Sequence, residues 1–158
     1  MQNPKNIHPE LDGIDREILR ELSVNARISN QDLAAKVGIA ASTCLGRVRS
    51  LVEQKVIRSF TAQISPAALG LELQAVISVT LRAGARANLA AFMQSMREHP
   101  QVIQVFFLGG AEDFLVHVAV RNSEEVREFV LEQLSNNASV ANTRTNIVFE
   151  HSHKGPIG

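Results

Sequence analysis

The chain has 158 residues, of which 45% are hydrophobic and 20% charged, and its 16 basic and 16 acidic side chains balance. This composition is typical of a soluble globular protein, and no apolar run approaches the roughly 20 residues that span a bilayer. One cysteine excludes an internal disulfide framework, and with an N-terminus unlike a signal peptide it predicts a cytoplasmic protein with no membrane partner.

The neutral total hides an uneven distribution of charge. Residues 1–64 carry nine basic and seven acidic side chains, residues 27–58 carry six and two, and residues 65–158 carry seven and nine. A locally positive surface on a neutral protein is typical of a DNA-facing patch. Ordinary variation in charge explains the same numbers, so the distribution alone leaves both interpretations open.

The first predicted helix begins near Asp12 and ends near Asn25. Asp12 is a candidate N-cap, and Asp15 lies in the first turn, where a carboxylate favours the helix dipole. Apolar residues recur at intervals of three and four, as one buried helix face requires, at Leu11, Ile14, Ile18 and Leu22.

Residues 29–51 are the most informative segment, because they predict two helices joined by a tight turn. Ser29 is the N-cap of the earlier helix, and Gly38 ends it where a left-handed residue is easiest. Such a turn lets two helices meet steeply, so that the later one enters a DNA major groove. The inner faces are expected to carry Leu33, Ala34 and Val37, and then Leu45, Val48, Leu51 and Val52.

Polar and small residues on this segment are the candidates for DNA contact. Arginine binds guanine bidentately or holds phosphates, so Arg47 and Arg49 lead, with a solvated helix face as the alternative. Residues at the helix starts are expected to meet phosphates, or to serve only as caps. The predicted DNA-binding set is Ser29, Asn30, Gln31, Ser42, Thr43, Gly46, Arg47, Arg49 and Ser50.

A short β-prone segment over residues 56–65 separates two domains. We expect residues 1–64 to form the DNA-binding domain with a linker strand, and residues 65–158 to form an effector-binding and oligomerisation domain. In the second domain, alternating patterns predict strands over 73–81, 102–108, 114–120 and 140–149 and helices over 86–98 and 124–134. The order βαββαβ predicts an α+β, ferredoxin-like fold with two helices on one sheet face.

The sheet face without helices carries too many apolar groups to be stable in water. We expect a second copy of the chain to cover it, and the twofold axis of that homodimer would also pair two DNA-reading helices. His117 on the third strand is expected to face this interface.

The remaining chemistry-bearing residues have structural interpretations. Cys44 is interpreted as a small buried hydrophobe, since a redox role would need an exposed thiolate of low pKa. His151 and His153, beside Glu150, have no third histidine or cysteine nearby, so neither a metal site nor a cofactor is predicted.

The turn over residues 109–113, GGAED, has two interpretations. As a hairpin it needs its glycines only for positive φ. As an effector loop, its free N–H groups would hold a carboxylate while Glu112 or Asp113 holds an ammonium group, the two charges of an α-amino acid. The turn itself contains two carboxylates and no compensating base. The residues alone favour the hairpin.

Together these segments resemble the Lrp/AsnC family of feast/famine transcription regulators. Residues 11–70 are similar to its N-terminal winged helix-turn-helix and linker. Residues 105–118, VFFLGGAEDFLVHV, are similar to the G-x-x-D-[FY] turn of its ACT-like effector domain, and residues 143–150, TRTNIVFE, to its last strand.

The resemblance implies homodimers that assemble further, to tetramers or octamers among other sizes, on promoter DNA. It also implies small effectors, usually amino acids, held near subunit interfaces. Gly110 and Asp113 match the family turn, and Thr143 and Thr145 match its paired threonines. With the rest of the loop, the predicted effector set is Gly109, Gly110, Glu112, Asp113, Thr143 and Thr145.

Three features, at four positions, depart from the family pattern. Ala40 replaces the serine that usually caps the recognition helix, and losing such a cap costs about 1 kcal/mol unless Ser42 or a water replaces it. Lys55 and Ser59 stand where glycine is frequent, and Glu112 precedes Asp113.

These predictions favour a sequence-specific DNA-binding transcriptional regulator whose assembly or DNA affinity responds to a small effector. The alternative is an amino-acid-sensing protein-interaction module that does not bind duplex DNA. An enzyme is not predicted, because no nucleophile–base pair, metal-ligand cluster or phosphate loop stands out. Single-stranded nucleic acid is disfavoured, since residues 1–64 contain one aromatic side chain, Phe60, on which a base could stack.

Overall fold

The computed structural model describes residues 10–152, apart from the side chain of Arg86. The described residues divide into two compact units, residues 10–63 and residues 64–152, each with its own hydrophobic core. Within this range no helix combines the length and hydropathy needed to cross a membrane. His153 lies outside the described residues.

The N-terminal unit contains three helices, α1 (Gly13–Val24), α2 (Asn30–Val37) and α3 (Ala41–Glu53). The predicted cap of α1 is confirmed, because Asp15 N donates to Asp12 Oδ1 at 2.8 Å and Asp12 N donates to Asp15 Oδ2 at 3.3 Å. This reciprocal pair is a capping box, which satisfies two backbone donors that a helix start leaves free. The helix ends at Asn25, as predicted.

The join between α2 and α3 also follows the prediction. Ser29 Oγ caps α2 by accepting from Asp32 N at 3.1 Å, and Gly38 closes the helix with a φ of +75°. Glycine adopts this left-handed conformation without a steric penalty. The three helices share a buried core of Ile18, Leu19, Leu33, Ala34, Cys44 and Leu51.

The predicted linker strand, and with it the wing, is not formed in the described subunit. Residues 54–65 contain no strand. Instead Lys55 has a φ of +60°, and the N–H groups of Val56 and Ile57 both donate to Leu51 O, at 2.9 and 3.0 Å. A β-prone segment becomes a strand only where a neighbouring strand pairs with it, and the described subunit provides no neighbour here. The strand prediction is wrong for the single chain.

The C-terminal unit is the predicted ferredoxin-like fold, in which four antiparallel strands are ordered β2-β3-β1-β4. Its elements are β1 (Leu73–Leu81), α4 (Leu89–Glu98), β2 (Val102–Phe107), β3 (Phe114–Val120), α5 (Ser123–Phe129) and β4 (Val140–Val148). The two helices differ from prediction at one end each. A 3-10 turn, Ala83–Asn88, precedes α4, and a π-helical turn, Val130–Ser135, continues α5.

Both helices pack on one face of the sheet. On β1, alternate residues from Ala75 to Leu81 are buried, and they share a core with Phe92 and Met96 of α4 and Phe129 of α5. The other face, here called the open face, carries the alternate residues of β1 and their cross-strand neighbours. It includes Gln74, Val76, Ser78 and Thr80 of β1, Leu115 and His117 of β3, and Phe106 of β2.

His117 lies on the open face, as predicted. Its side chain is 5% exposed, and its Nε2 lies 2.9 Å from Gln74 Oε1. The ring of His151 stands edge-on to it, with the ring centroids 5.5 Å apart. Burial, and then the neighbouring His151, lowers the pKa of His117.

Candidate DNA-binding surface and effector loop

The outward side of α3 carries three exposed residues in one row, Ser42, Gly46 and Arg49. Their spacing of four and three residues places them one above the other on a helix. We call this set the outer row. It lies opposite the buried Cys44 and Leu51, and it belongs to the predicted DNA-binding set.

The inner face of α3 differs from prediction by part of a helical turn. Cys44 is completely buried, which confirms it as a small core residue, and burial raises the pKa of its thiol. In contrast, Leu45 and Val52 are 40% and 36% exposed, so their predicted inward placement is wrong. Because residues 44, 48 and 51 already face the core, residues 45 and 52 fall on a flank of the helix.

The N-terminus of α3 has no side-chain cap. Ala40 occupies the N-cap position, and Ser42 does not replace the missing serine, since no side chain caps the helix. The first intrahelical bond runs from Cys44 N to Ala40 O at 2.9 Å, so the preceding N–H groups are free of intrahelical partners. With the positive end of the helix dipole, and with exposed Thr43 nearby, they form a surface that attracts phosphate.

The start of α2 has structural roles as well as exposed groups. Ser29 is committed to capping, since its hydroxyl also donates to Asp32 Oδ2 at 2.6 Å. Asn30 Nδ2 donates to Ala41 O at 2.8 Å and so ties α2 to the first residue of α3. This contact gives Asn30 a structural role, and its predicted phosphate contact stays a prediction. Gln31 is exposed.

Arg47 does not project from the molecule, and its predicted outward orientation is wrong. Its Nη1 lies 2.7 Å from Asp12 Oδ2 and 2.8 Å from Asp15 Oδ1, at the start of α1, and its side chain is 30% exposed. The pKa of Asp12 is lowered by the N–H of Asp15 and then by Arg47. The physical reason is position, because residue 47 lies on the flank of α3 that faces the carboxylates capping α1.

Arg49 is the cation of the outer row. It is exposed, and within residues 10–152 no carboxylate pairs with it. Ser50, predicted beside it, is half-buried, and its Oγ accepts from Gln54 Nε2 at 2.7 Å. Of the two arginines favoured from sequence, the structure therefore leaves Arg49 available to a ligand.

Asp113 in the effector loop is bonded to the backbone. Its Oδ2 accepts from Leu81 N at 2.7 Å, its own N–H donates to Val79 O at 2.9 Å, and its carbonyl accepts from Leu108 N at 2.8 Å. These three bonds close the loop and anchor it to the end of β1. Asp113 thus supports the loop, a role that its position in the family motif did not reveal.

The glycines of the loop do not supply the positive φ that a tight hairpin turn would require. Neither Gly109 nor Gly110 has a positive φ, so the hairpin rationale for them is wrong. No atom lies within 4 Å of a Cβ built on either residue, and within residues 10–152 neither N–H group donates a hydrogen bond. They present bare backbone donors to the surroundings.

Glu112 has a basic partner that the loop sequence does not contain. Arg144 Nη1 on β4 lies 3.7 Å from Glu112 Oε1, and the Arg144 side chain is exposed whereas that of Glu112 is half-buried. Thr143 and Thr145 lie on the same strand, in register with Val79 and Ile77 of β1. Thr143 therefore lies across β1 from the loop, about 10 Å away as two strand spacings require, whereas Thr145 lies opposite the middle of β1.

The residues missed by sequence reasoning are the partners of the predicted ones. Asp12 and Asp15 hold Arg47, Leu81 holds Asp113, and Arg144 opposes Glu112. Only Asp12 and Asp15 carried a local signal, as acidic residues at a helix start. Among residues 10–152 no three His, Cys, Asp or Glu side chains converge as metal ligands would.

Comparison with known proteins agrees with the two units. A family model described as AsnC-type helix-turn-helix domain matches residues 11–52, and one described as Lrp/AsnC ligand binding domain matches residues 74–156. The HTH-type transcriptional regulator AldR of Mycolicibacterium smegmatis is 51% identical over 94% of this chain and 88% of its own length. The leucine-responsive regulatory protein of Rhizobium meliloti is 40% identical over 88% of this chain and 89% of its own.

Solved structures give the same result for the fold. The crystal structure of MtbAldR has a TM-score of 0.81 and 45% identity, over 95% of this chain and 99% of that one. A transcriptional regulator of Neisseria meningitidis, solved as an L-Met complex, has a TM-score of 0.84 and 30% identity, over 94% and 96% of the two chains.

Proposed function

Because this chain belongs to the Lrp/AsnC family of transcriptional regulators, we propose that it binds duplex DNA through α3 as a homodimer, under the control of an amino acid. The observation that carries the DNA proposal is the outer row. It combines an unpaired arginine, a small central residue and an uncapped helix N-terminus on one surface. Each is a feature by which helices enter the major groove and hold phosphates.

Arg49 is the proposed base or phosphate contact. Its guanidinium is not neutralised by any carboxylate of the described subunit, so its charge and its donors are available to DNA. Ser42 and Thr43 lie at the helix N-terminus, where hydroxyl groups can donate to bases or phosphates. Gln31 at the start of α2 is exposed on the preceding helix of the motif.

The open face supports the homodimer. It places Val76 and Leu115, both half-buried, beside Phe106, which is 44% exposed. A sheet face with this apolar content is normally covered. A second copy would cover it isologously and place two outer rows about a twofold axis. Exposed Ile103 and Phe107 on the edge strand β2 support further association into a tetramer or octamer.

The loop over residues 109–113 is the proposed effector contact. The bare N–H groups of Gly109 and Gly110 suit a ligand carboxylate, and the acidic side of the loop suits its ammonium group. The Neisseria meningitidis regulator was solved with L-Met, which supports an amino acid as the ligand class. The proposed site includes Thr143, in register with Val79 near the loop, and Thr145, two residues further along β4, and a neighbouring subunit would complete it.

DNA binding is tested by selecting duplexes from a random pool with the full chain. We expect a recovered consensus, and Arg49→Ala should weaken binding to the selected duplex by about 10- to 100-fold, as loss of a bidentate base contact does. The matched control is Arg16→Ala, at an arginine of α1 that is also exposed, and it should change affinity less than about threefold. Failure to retain any duplex at low salt would support the protein-interaction module instead.

Effector binding is tested by a thermal-shift screen of the twenty amino acids. A ligand that binds only the folded state raises the melting temperature by mass action. Gly110→Val, which places a branched side chain over the exposed N–H groups, should abolish the shift without reducing the basal melting temperature by much, since nothing crowds that position. A ligand that still shifts Gly110→Val binds elsewhere, and the loop assignment is then wrong.

A further inference from the structure

We infer that Arg47 is a positioning residue of the recognition helix, which clamps α3 onto the two carboxylates that cap α1 and makes no contact with DNA. The inference rests on the proposed reading of DNA by α3. It assigns a distinct role to an arginine that sequence reasoning placed among the DNA contacts.

The clamp uses every oxygen of the capping box. Asp12 Oδ1 and Asp15 Oδ2 accept backbone N–H groups, at 2.8 and 3.3 Å. The remaining oxygens, Asp12 Oδ2 and Asp15 Oδ1, both accept from Arg47 Nη1, at 2.7 and 2.8 Å. The capping box therefore forms a binding site for one cation, since its two remaining oxygens both contact the same nitrogen.

A second polar contact, from Asn30 of α2, holds α3 at a different point from the clamp. Asn30 holds the carbonyl of Ala41 at the start of the helix. Arg47 holds a point six residues later, which is about 9 Å along the axis. Two attachments separated along the axis determine the direction of a helix, whereas the apolar contacts of Cys44, between them, and of Leu51, beyond Arg47, are not directional.

Electrostatics argue for the same assignment. The charge of Arg47 is already opposed by two carboxylates within hydrogen-bonding distance. The Nη1 group that makes both ion pairs would have to leave them to contact a phosphate, and two unpaired carboxylates would then lie in the same unit as the DNA-binding helix. A phosphate contacted by Nε or Nη2 instead would meet a charge that the two carboxylates already balance. That exchange offers little gain, because one phosphate replaces two carboxylates.

The test compares Arg47→Gln with a variant of its partners, Asp12→Asn plus Asp15→Ala. Asparagine keeps an N-cap acceptor at position 12. For each we measure affinity for the selected duplex and for random duplex. A positioning role predicts that both variants weaken the selected complex on the order of five- to tenfold. A third variant that combines all three substitutions should bind no more weakly than Arg47→Gln, because residues that act through one contact are not additive. Random-duplex binding should change little, so the specificity ratio falls.

A matched control is Glu21→Gln, which removes the ion pair between Glu21 of α1 and Lys36 of α2. It loosens the same helix bundle without touching α3, and we expect it to leave the specificity ratio unchanged. A fall equal to that of Arg47→Gln would show a general loss of stability, and the positioning role would be abandoned.

A second measurement is the salt dependence of the affinity of Arg47→Gln for random duplex. It does not require that the Asp12→Asn plus Asp15→Ala variant folds. A positioning residue leaves the slope of log affinity against log salt unchanged, whereas loss of a phosphate contact reduces it by about 0.9. A reduced slope would overturn the inference, and so would tighter binding of the selected duplex by the Asp12→Asn plus Asp15→Ala variant. Should the unmodified chain select no duplex, the proposed function itself fails, which is a separate result.

Discussion

Gly46 occupies the centre of the outer row without any conformational need for glycine. Its φ is not positive, and no atom lies within 4 Å of a Cβ built on it. Glycine inside a helix is less stable than alanine by about 0.5–1 kcal/mol. Folding of the subunit therefore does not explain this residue, and in the proposed function it allows DNA to approach the α3 backbone closely.

Gly46→Ala should separate stability from DNA binding. We expect the free energy of unfolding to rise by about 0.5–1 kcal/mol, since alanine is the better helix former. Affinity for the selected duplex should fall severalfold, because the new methyl group occupies space that DNA needs. Denaturant unfolding and duplex titration measure the two effects, and unchanged affinity would show that Gly46 is not approached closely.

Residue roles were predictable where the cause is local, and not where it is distant. Burial of Cys44 and capping by Ser29 follow from neighbouring residues, and both hold in the structure. The orientation of Arg47 depends on carboxylates that precede it by 35 and 32 positions. Spacing within α3 cannot reveal such partners, so a flank residue was interpreted as an outward one.

At the scale of elements, the start of α3 is the least optimised helix end in the N-terminal unit. Both α1 and α2 begin at side-chain caps, whereas α3 begins at Ala40 without one. Among residues 10–152 the only polar side chain that hydrogen-bonds its first residue is that of Asn30, and it contacts a carbonyl, not the free N–H groups. The open N-terminus is therefore less stable and better able to receive a phosphate.

Ala40→Ser should stabilise the N-terminal unit. A serine at the N-cap accepts from one free N–H group, and the expected gain is about 1 kcal/mol in the free energy of unfolding. Denaturant unfolding provides the measurement, with Ala40→Val, which supplies no acceptor, as the control. A serine variant no more stable than the valine variant would show that this helix start gains nothing from a cap.

Element boundaries show what a linear pattern does and does not determine. Strands β1 and β3 match their predicted bounds, because alternation is unambiguous where one face is buried. Residues 56–65 have the composition of a strand but lack a pairing partner in the described subunit. Periodicity also does not resolve the late start of α4 or the π-helical turn after α5.

At the scale of the whole molecule, the order of elements was sufficient to predict the ferredoxin-like topology of the C-terminal unit. The same pattern predicted an open face, and the structure shows it. The effector site was less predictable, because Asp113 proved to anchor the loop and Arg144 came from another strand. In the proposed site a neighbouring subunit completes the effector contacts, and contacts between copies are not encoded in the periodicity of one chain.

The open face also carries the group that should make assembly sensitive to pH. His117 is buried there, and its folded-state pKa lies below the ordinary 6.5 because of burial and then because of His151. The unfolded chain therefore binds the proton first as pH falls, so stability is lost below about pH 6.5. The pKa of Asp12 is also lowered, from 3.8, and those of Glu124 and Glu125 are lowered from 4.5. These carboxyl groups therefore change the stability only at lower pH.

We therefore expect acidification from about pH 7.5 to about pH 5 to lower the melting temperature and the dimer fraction. A second subunit on the open face would bury His117 further and oppose its protonation more strongly. His117→Gln, which keeps a polar group beside Gln74, should reduce both effects in calorimetry and sedimentation. Burial also lowers the pKa of His99, so the variant should keep a smaller loss of stability on acidification from that residue. If the variant keeps the full pH dependence of the dimer, His117 does not lie in the interface, and the proposed packing of the open faces is wrong.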